Sequence, residues 1–330
     1  MDKTELKQEI KYLSKFLLKI LCVFAGIILL SIFFTNINNS NAGKVKTQEY
    51  NILVTTQVGY ELTSNILDKS DNLNLLTRDI DAFTEDYEVT PKNLREIRMA
   101  DVIIYCGDEA EPWVKSTLSK IEDEDKILIN MCADLQPNTI YSGKNLVNYI
   151  DYNNMKLENI VTKNDGIAKS SYTYWTNPHN TIIIFDRLYE NLSALNSEYV
   201  DSYYNNYTSY REKLNELLGR YEKLREKNGS VMICCVEELS PYFINDLNLN
   251  YLNIYTKNDK DKKKNEALLY YYMNEINLNS TICCDEKNKD NIGSICENER
   301  IYIISNMVEH NKDFSYIDSM NQNFLAIKQL

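Results

Sequence analysis

Residues 198–227 read EYVDSYYNNYTSYREKLNELLGRYEKLREK and form the most regular segment of this 330-residue chain. Large apolar side chains recur in it at alternating spacings of four and three residues, at Tyr203, Tyr207, Tyr210, Leu214, Leu217, Tyr221 and Leu224. That spacing places them all on one face of an α-helix. A helix of this length reaches about 45 Å, and Asn228-Gly229 supplies a C-terminal stop. We therefore predict one long helix over 198–227.

The segments on either side of this helix share a second pattern, in which short apolar runs alternate with helical ones. Before the helix, the strand-like runs lie at 52–55, 73–76, 102–106 and 127–131. After it, they lie at 231–236, 251–254, 281–284 and 301–305. Apolar strands that alternate with helices predict parallel sheets covered on both faces.

This pattern predicts an α/β fold of two small parallel-sheet lobes, residues 50–197 and 228–330, joined by one long rigid helix. A ligand would enter the cleft between the lobes. An alternative interpretation of the helix is a short coiled coil that makes a dimer.

The N-terminal region contains a run at residues 16–34 that is apolar in all but two positions. Nineteen residues of helix span about 28 Å, close to the thickness of a bilayer core. Lysines are frequent before the run and sparse after it, which places residues 1–15 in the cytoplasm and the bulk of the chain outside. We predict a single-pass transmembrane anchor at the cell membrane, followed by a polar linker at 35–49. A signal peptide cleaved before Gly43 is the alternative.

The composition excludes some classes of function. The net charge is −12, whereas a nucleic-acid partner requires a basic face, so we expect none. An acidic surface favours cations. The sequence contains no nucleophile–base pair, phosphate loop or HExxH motif, so we expect no enzymatic activity.

Short motifs occur along the chain in a characteristic order. They are Asp86-Tyr87-Glu88-Val89-Thr90-Pro91, then Ala100-Asp101-Val102-Ile103-Ile104 and Gly107, then Trp175-Thr176-Asn177-Pro178, Tyr242-Phe243, and finally Tyr316, Met320 and Asn323. In order and spacing they resemble the zinc/manganese class of ABC-transporter solute-binding proteins over about residues 50–330. The resemblance implies an extracytoplasmic protein that holds a metal ion between two lobes and docks on an ABC permease in the membrane.

The resemblance also implies where a metal would bind, and there this chain departs from the family. The positions that align with the family's ligands are occupied by Glu85, Thr173, Glu237 and Asn306. The chain has two histidines, His179 and His310, and neither falls on a ligand position. The four aligned residues all offer oxygen, which suits Mn²⁺ or another hard cation better than tightly bound Zn²⁺. We expect altered or lost metal ligands. The alternatives are a repurposed cleft that binds no metal and a cleft that binds another small ligand.

The cysteines form a second candidate set. Seven of the eight follow the predicted anchor, an odd number that cannot pair completely within one chain. Four lie at or just past the ends of predicted strands, the edge at which open α/β sheets bind ligands: Cys106, Cys132, Cys235 and Cys284. Three interpretations stay open for these residues. They are buried thiols, a thiolate site for a soft metal, or, in the second lobe, disulfides that join Cys234 or Cys235 to Cys283 or Cys284.

These observations together predict the extracytoplasmic solute-binding component of a metal-type ABC importer, with altered or lost metal ligands. The alternative is a membrane-anchored interaction or sensory module that keeps the binding-protein fold without metal transport. Permease and ATPase genes beside this one would favour the first function.

Overall fold

The fold of the chain is given by a computed structural model. It describes residues 49–68, 72–76, 87–121, 125–142, 167–226, 232–235, 240–247, 250–253, 281–284, 301–308 and 314–328. Residues 49–330 belong to one compact unit. In the described part of the chain, no helix has both the length and the apolar character needed to cross a bilayer. The predicted anchor at 16–34 lies outside the described residues.

The first half of the fold contains a parallel sheet of four strands in the order β2-β1-β3-β4. Its strands are β1 (Asn51–Val54), β2 (Asn72–Leu75), β3 (Val102–Tyr105) and β4 (Ile127–Asn130). All four residues of β3 are buried, as expected for a strand covered on both faces. The sequence predicted each of these strands to within one residue at either end.

Three helices accompany this sheet: α1 (Gln57–Ser64), α2 (Pro91–Met99) and α3 (Trp113–Lys120). The helix α1 begins after Thr56, whose hydroxyl accepts a hydrogen bond from the main-chain N–H of Gly59. The helix α2 begins with a capping box, in which Thr90 and Asn93 satisfy each other's main-chain N–H groups.

A two-stranded antiparallel sheet follows, and the sequence analysis did not predict it. Its strands are β5 (Asn138–Ser142) and β6 (Ile167–Ser171), paired from Asn138 opposite Ser171 to Ser142 opposite Ile167. A single 3₁₀ turn, Tyr174–Thr176, comes directly after it.

The second half of the fold contains another parallel sheet, in the order β10-β9-β7-β8. Its strands are β7 (Met232–Cys235), β8 (Asn250–Asn253), β9 (Thr281–Cys284) and β10 (Ile301–Ile303). All eight predicted strands are therefore present, and the prediction of an α/β fold with parallel sheets is confirmed.

Four helices complete the described fold: α4 (Pro178–Leu195), α5 (Val200–Arg225), α6 (Pro241–Asp246) and α7 (Tyr316–Lys328). The helix predicted over 198–227 is α5. Six of the seven residues of its apolar stripe are buried, and the seventh, Tyr207, stacks on Phe185 and Tyr189 of α4. The helix α5 packs against α4 and α7. Because the stripe is covered within the chain, the packing favours a core helix over a coiled-coil dimer.

One hydrophobic cluster connects these elements. It runs from the first sheet, at residues such as Val54 and Ile104, through α4 and α5 to Met320 and Ile327 of α7. The long helix is thus part of a continuous core.

Candidate functional site

Four hydroxyl groups meet where residues 171–176 approach the start of α6. The Thr173 hydroxyl donates to Ser240 Oγ at 2.8 Å and lies 3.1 Å from Ser171 Oγ. The Thr176 hydroxyl lies 2.5 Å from the same Ser240 oxygen. Ser240 is only 2% exposed. Thr173, a predicted ligand residue, therefore belongs to a connected group of neutral hydroxyls, which we call the hydroxyl cluster.

Asn306, another predicted ligand residue, is attached to this cluster. Its side-chain oxygen accepts a hydrogen bond from the main-chain N–H of Ser240 at 2.8 Å. Its main-chain oxygen accepts one from Trp175 Nε1 at 2.9 Å, and Trp175 is completely buried. The structure thus brings Thr173 and Asn306 together, although 133 positions separate them in the sequence.

Ser240 connects Thr173 to Asn306, and the sequence analysis did not identify Ser240 as a site residue. Ser240 directly precedes Pro241, the first residue of α6. A hydroxyl residue just before a helix that opens with proline is a common helix-start signal. That signal identifies the position but does not indicate a contact with a residue 67 positions away.

Of the other two aligned positions and the two histidines, the structure describes only His179. Glu85, Glu237 and His310 lie outside the described residues. His179 is exposed in the first turn of α4, and its main-chain N–H donates to Asn177 Oδ1 at 2.8 Å. Over the described ranges, no three histidine, cysteine or acidic side chains lie close enough to hold a metal ion.

Tyrosine rings pack beside the hydroxyl cluster. The ring centroid of Tyr174 lies 5.3 Å from that of Tyr242 and 6.3 Å from that of Tyr172. The Tyr242 hydroxyl donates to the Gln136 main-chain oxygen at 2.9 Å, which ties α6 to the turn after β4. Burial raises the pKa of the Tyr174 phenol. This phenol therefore stays neutral, in keeping with the uncharged hydroxyl cluster beside it.

A buried carboxylate organises the nearby edge of the first sheet. Glu111 is 0% exposed, and its Oε2 accepts from the Thr55 hydroxyl at 2.7 Å and from the Cys106 main-chain N–H at 2.6 Å. Thr55 follows β1 and Cys106 follows β3, so one carboxylate joins the ends of neighbouring strands. The sequence analysis did not single out Glu111.

The four candidate cysteines divide between the two sheets. Cys106 and Cys132 lie at the edge of the first sheet, both buried, with their sulfur atoms 2.9 Å apart. Cys235 ends β7 and Cys284 ends β9 in the second sheet. The strands β7 and β9 are neighbours, with Cys235 opposite Cys283, which is the placement that the predicted strand-to-strand disulfide requires. The side chains of the second-sheet cysteines are outside the described part of the structure.

A protein family matches nearly the whole of this fold. The model of the family described as zinc-uptake complex component A, periplasmic (ZnuA), matches residues 52–330. The chain belongs to the ZnuA family. The resemblance that the motifs indicated is thereby confirmed, and the ZnuA family comprises metal-binding solute-binding proteins of ABC importers.

The curated relatives are similar over part of their length. Zinc-binding protein AdcA from two strains of Streptococcus pyogenes serotype M3 is 24% identical over 178 residues, covering 53% of this chain and 32% of the relative. The match therefore spans about a third of the length of these relatives.

Solved structures share the fold. The metal-dependent lipoprotein YcdH of Bacillus subtilis has a TM-score of 0.63 at 18% identity, over 84% of this chain and 98% of its own. The Zn(II)-bound ZnuA-like domain of Streptococcus pneumoniae AdcA has a TM-score of 0.63 at 16% identity, over 85% and 98%. Periplasmic zinc-binding protein TroA of Treponema pallidum has a TM-score of 0.60 at 12% identity, over 84% and 98%. Because these sequence identities are low, the structural similarity establishes the fold of this chain and nothing further.

Proposed function

We propose that this protein is the extracytoplasmic solute-binding component of an ABC importer for a divalent cation, with a ligand set that differs from that of its zinc-binding relatives. The observation that carries the proposal is the joining of Thr173 and Asn306 through Ser240. Two positions that align with metal ligands of the family meet in space, as a binding site requires, but they present neutral oxygen atoms.

The donor atoms favour a hard cation. Glu85 and Glu237 would supply negative charge, and Thr173, Asn306 and Ser240 would supply neutral oxygen atoms. Imidazole and thiolate are the usual ligands of tightly bound zinc, and the aligned positions contain neither. Carboxylate, carbonyl and hydroxyl oxygen suit Mn²⁺, Mg²⁺ or Ca²⁺ better. Mn²⁺ is therefore our leading candidate.

The predicted membrane anchor would serve the same function. An uncleaved helix at 16–34 would hold residues 49–330 on the outer face of the cell membrane, where a permease could receive the cation. Protease added to intact, wall-stripped cells should then remove the part of the chain that follows the anchor.

Titration calorimetry of the purified full-length chain tests the cation site. We expect Mn²⁺ to bind and Zn²⁺ to bind without the tight affinity of a site built from imidazole or thiolate, and we expect a Glu85→Gln, Glu237→Gln double variant to lose Mn²⁺ binding because the site would retain no negative charge. A Glu212→Gln, Glu216→Gln double variant removes two exposed carboxylates of α5 and serves as the matched control. Tight Zn²⁺ binding that persists in the Glu85, Glu237 variant would contradict the proposed site.

A second function, an interaction or sensory module without transport, is favoured by one observation. The Thr173 hydroxyl donates to Ser240 Oγ, and Asn306 Oδ1 accepts from the Ser240 main-chain N–H, so side-chain oxygen atoms at two aligned positions already make hydrogen bonds within the protein. Deletion of the gene distinguishes the two functions. Reduced Mn²⁺ uptake supports the importer, whereas unchanged uptake in manganese-poor medium supports the module.

A further inference from the structure

Cys106 and Cys132 lie side by side at the end of the first sheet. Cys106 directly follows β3, and Cys132 lies two residues beyond β4. These strands are parallel neighbours, with Tyr105 opposite Asn130, so both reach the same edge. Gly107 has a φ of 109°, a left-handed conformation that favours glycine, and it turns the chain immediately after Cys106.

We propose that Cys106 and Cys132 are a modification site, at which a disulfide joins the ends of β3 and β4 in the extracytoplasmic protein. Cys106 lies one residue past the paired Tyr105, and Cys132 lies two residues past its partner Asn130, so the two cysteines are offset by a single residue at one edge of the sheet. The sulfur atoms are 2.9 Å apart and need to approach by only about 0.9 Å to reach bonding distance.

The reaction is a thiol–disulfide exchange with a small disulfide, such as oxidised glutathione, as the oxidant. One cysteine, as its thiolate, attacks an oxidant sulfur, forms a mixed disulfide and releases one thiol. The second cysteine attacks the protein sulfur of that mixed disulfide and releases the other thiol. The cysteines lose two protons and two electrons, and the oxidant becomes two thiols.

Burial determines when the bond can form. Cys106 is 3% exposed and Cys132 is 4% exposed, so an oxidant reaches them during folding or through local opening of the sheet edge. The same burial then shields the finished disulfide from reductants. The bond would close a loop that contains α3 and so restrict the unfolded chain.

A chelated metal is the competing occupant of this pair. Zinc requires about four ligands, and in the described ranges no third histidine, cysteine or acidic group joins the two thiols. The Tyr172 main-chain oxygen lies 3.9 Å from Cys106 Sγ, but it would be an uncharged metal ligand. The extracytoplasmic location rests on the proposed function, and in that oxidising compartment two thiols with no further charged ligand in the described ranges favour the sulfur–sulfur bond.

The disulfide would act beside the hydroxyl cluster. Tyr172, whose main-chain oxygen contacts Cys106, directly precedes Thr173. A bond between Cys106 and Cys132 would fix the sheet edge on which this segment rests. It would also remove both thiols as possible metal ligands, leaving the cation to oxygen donors.

Peptide mapping of the full-length chain tests the disulfide. The folded protein is incubated with oxidised glutathione, alkylated with iodoacetamide in denaturant and digested with trypsin. Cleavage after Arg98, Lys115, Lys126 and Lys144 places the two cysteines on separate peptides, 99–115 and 127–144. We expect these peptides to be recovered as one linked species, lighter by two hydrogen atoms than their sum, that dithiothreitol separates.

Control variants and added Zn²⁺ distinguish a disulfide from a metal site. Cys132→Ser should abolish the linked species and release peptide 99–115 either alkylated or as a mixed disulfide with glutathione, and Cys296→Ser, which leaves the pair intact, should retain the linked species. Full alkylation of both peptides in the wild-type chain would overturn the proposal. Protection of both thiols by added Zn²⁺ with no linked peptide would overturn it in favour of a metal site.

Discussion

At the scale of single residues, Glu61 is a largely buried acid that couples α1 to the long helix. Its Oε1 accepts a hydrogen bond from the Tyr210 hydroxyl of α5 at 2.8 Å. Burial raises the pKa of the carboxyl from 4.5 to about 7, although the Tyr210 hydrogen bond lowers it in part. Folding therefore favours the protonated form of Glu61 at pH values where the unfolded chain is ionised.

This raised pKa predicts a loss of stability as the pH rises. Between about pH 4.5 and pH 7 the unfolded state releases the Glu61 proton while the folded state retains it, so the free energy of unfolding falls. The full penalty, about 3 kcal/mol, applies above pH 7. We expect Glu61→Gln, which is neutral at every pH, to be more stable than the wild type at pH 8 and to lose this advantage near pH 4.5.

Urea denaturation at several pH values measures the effect. Glu212→Gln, on the exposed side of α5, is the control and should follow the wild-type pH dependence. Parallel curves for the wild type and Glu61→Gln would mean that the carboxyl keeps an ordinary pKa in the folded state.

Ser240 is the residue on which the hydroxyl cluster depends. Ser240→Ala removes the oxygen that Thr173 and Thr176 contact, and we expect it to lower the free energy of unfolding by about 1–3 kcal/mol. Ser119→Ala, at an exposed position on α3, should change it by less than about 0.5 kcal/mol. Equal effects of the two substitutions on urea denaturation would contradict a buried cluster.

At the scale of elements, α5 owes its place in the core to its apolar stripe. Leu217 is 0% exposed, whereas Asn215, two residues earlier, is exposed. The helix therefore has one buried face, set against α4 and α7, and one polar face toward solvent.

This arrangement predicts different effects for substitutions on the two faces of α5. Leu217→Ala leaves a cavity and should cost about 2–5 kcal/mol of unfolding free energy. Asn215→Ala, the control, should cost less than about 0.5 kcal/mol. Urea denaturation gives both values. If stability depended on protein concentration, and Leu217→Ala abolished that dependence, the stripe would be a dimer interface.

At the scale of the whole molecule, one hydrophobic cluster contains residues from both halves of the chain. Ile104 of β3 and Met320 of α7 are both completely buried members of it. Trp175 and Ser240 add hydrogen bonds to Asn306. The two halves of the chain are therefore connected by shared packing as well as by the covalent chain.

A shared core predicts cooperative unfolding of the part of the chain after residue 48. In scanning calorimetry of the full-length chain, we expect one main transition with equal calorimetric and van't Hoff enthalpies. Ile104→Ala and Met320→Ala should each lower the temperature of that same transition. Two separate transitions, each moved by only one substitution, would mean that the two sheets unfold as independent domains.

The sequence by itself determined the strands of the two parallel sheets, the long helix and the family. The strands of both sheets and the stripe of α5 could be predicted because each element buries a periodic pattern of its own residues, and a pattern within one segment is local information. The motifs around Trp175 and Tyr242 indicated the family for the same reason. The positions of Thr173 and Asn306 followed from the family resemblance.

Only the tertiary structure decided which of those positions lie close together and which residue connects them. Ser240 joins Thr173 across 67 positions, and Cys106 lies against Cys132 across 26. The antiparallel pair β5 and β6 was missed because its short, polar strands carry no periodic apolar signal. Contacts between distant residues depend on how the faces of several elements pack, and no single segment encodes that packing.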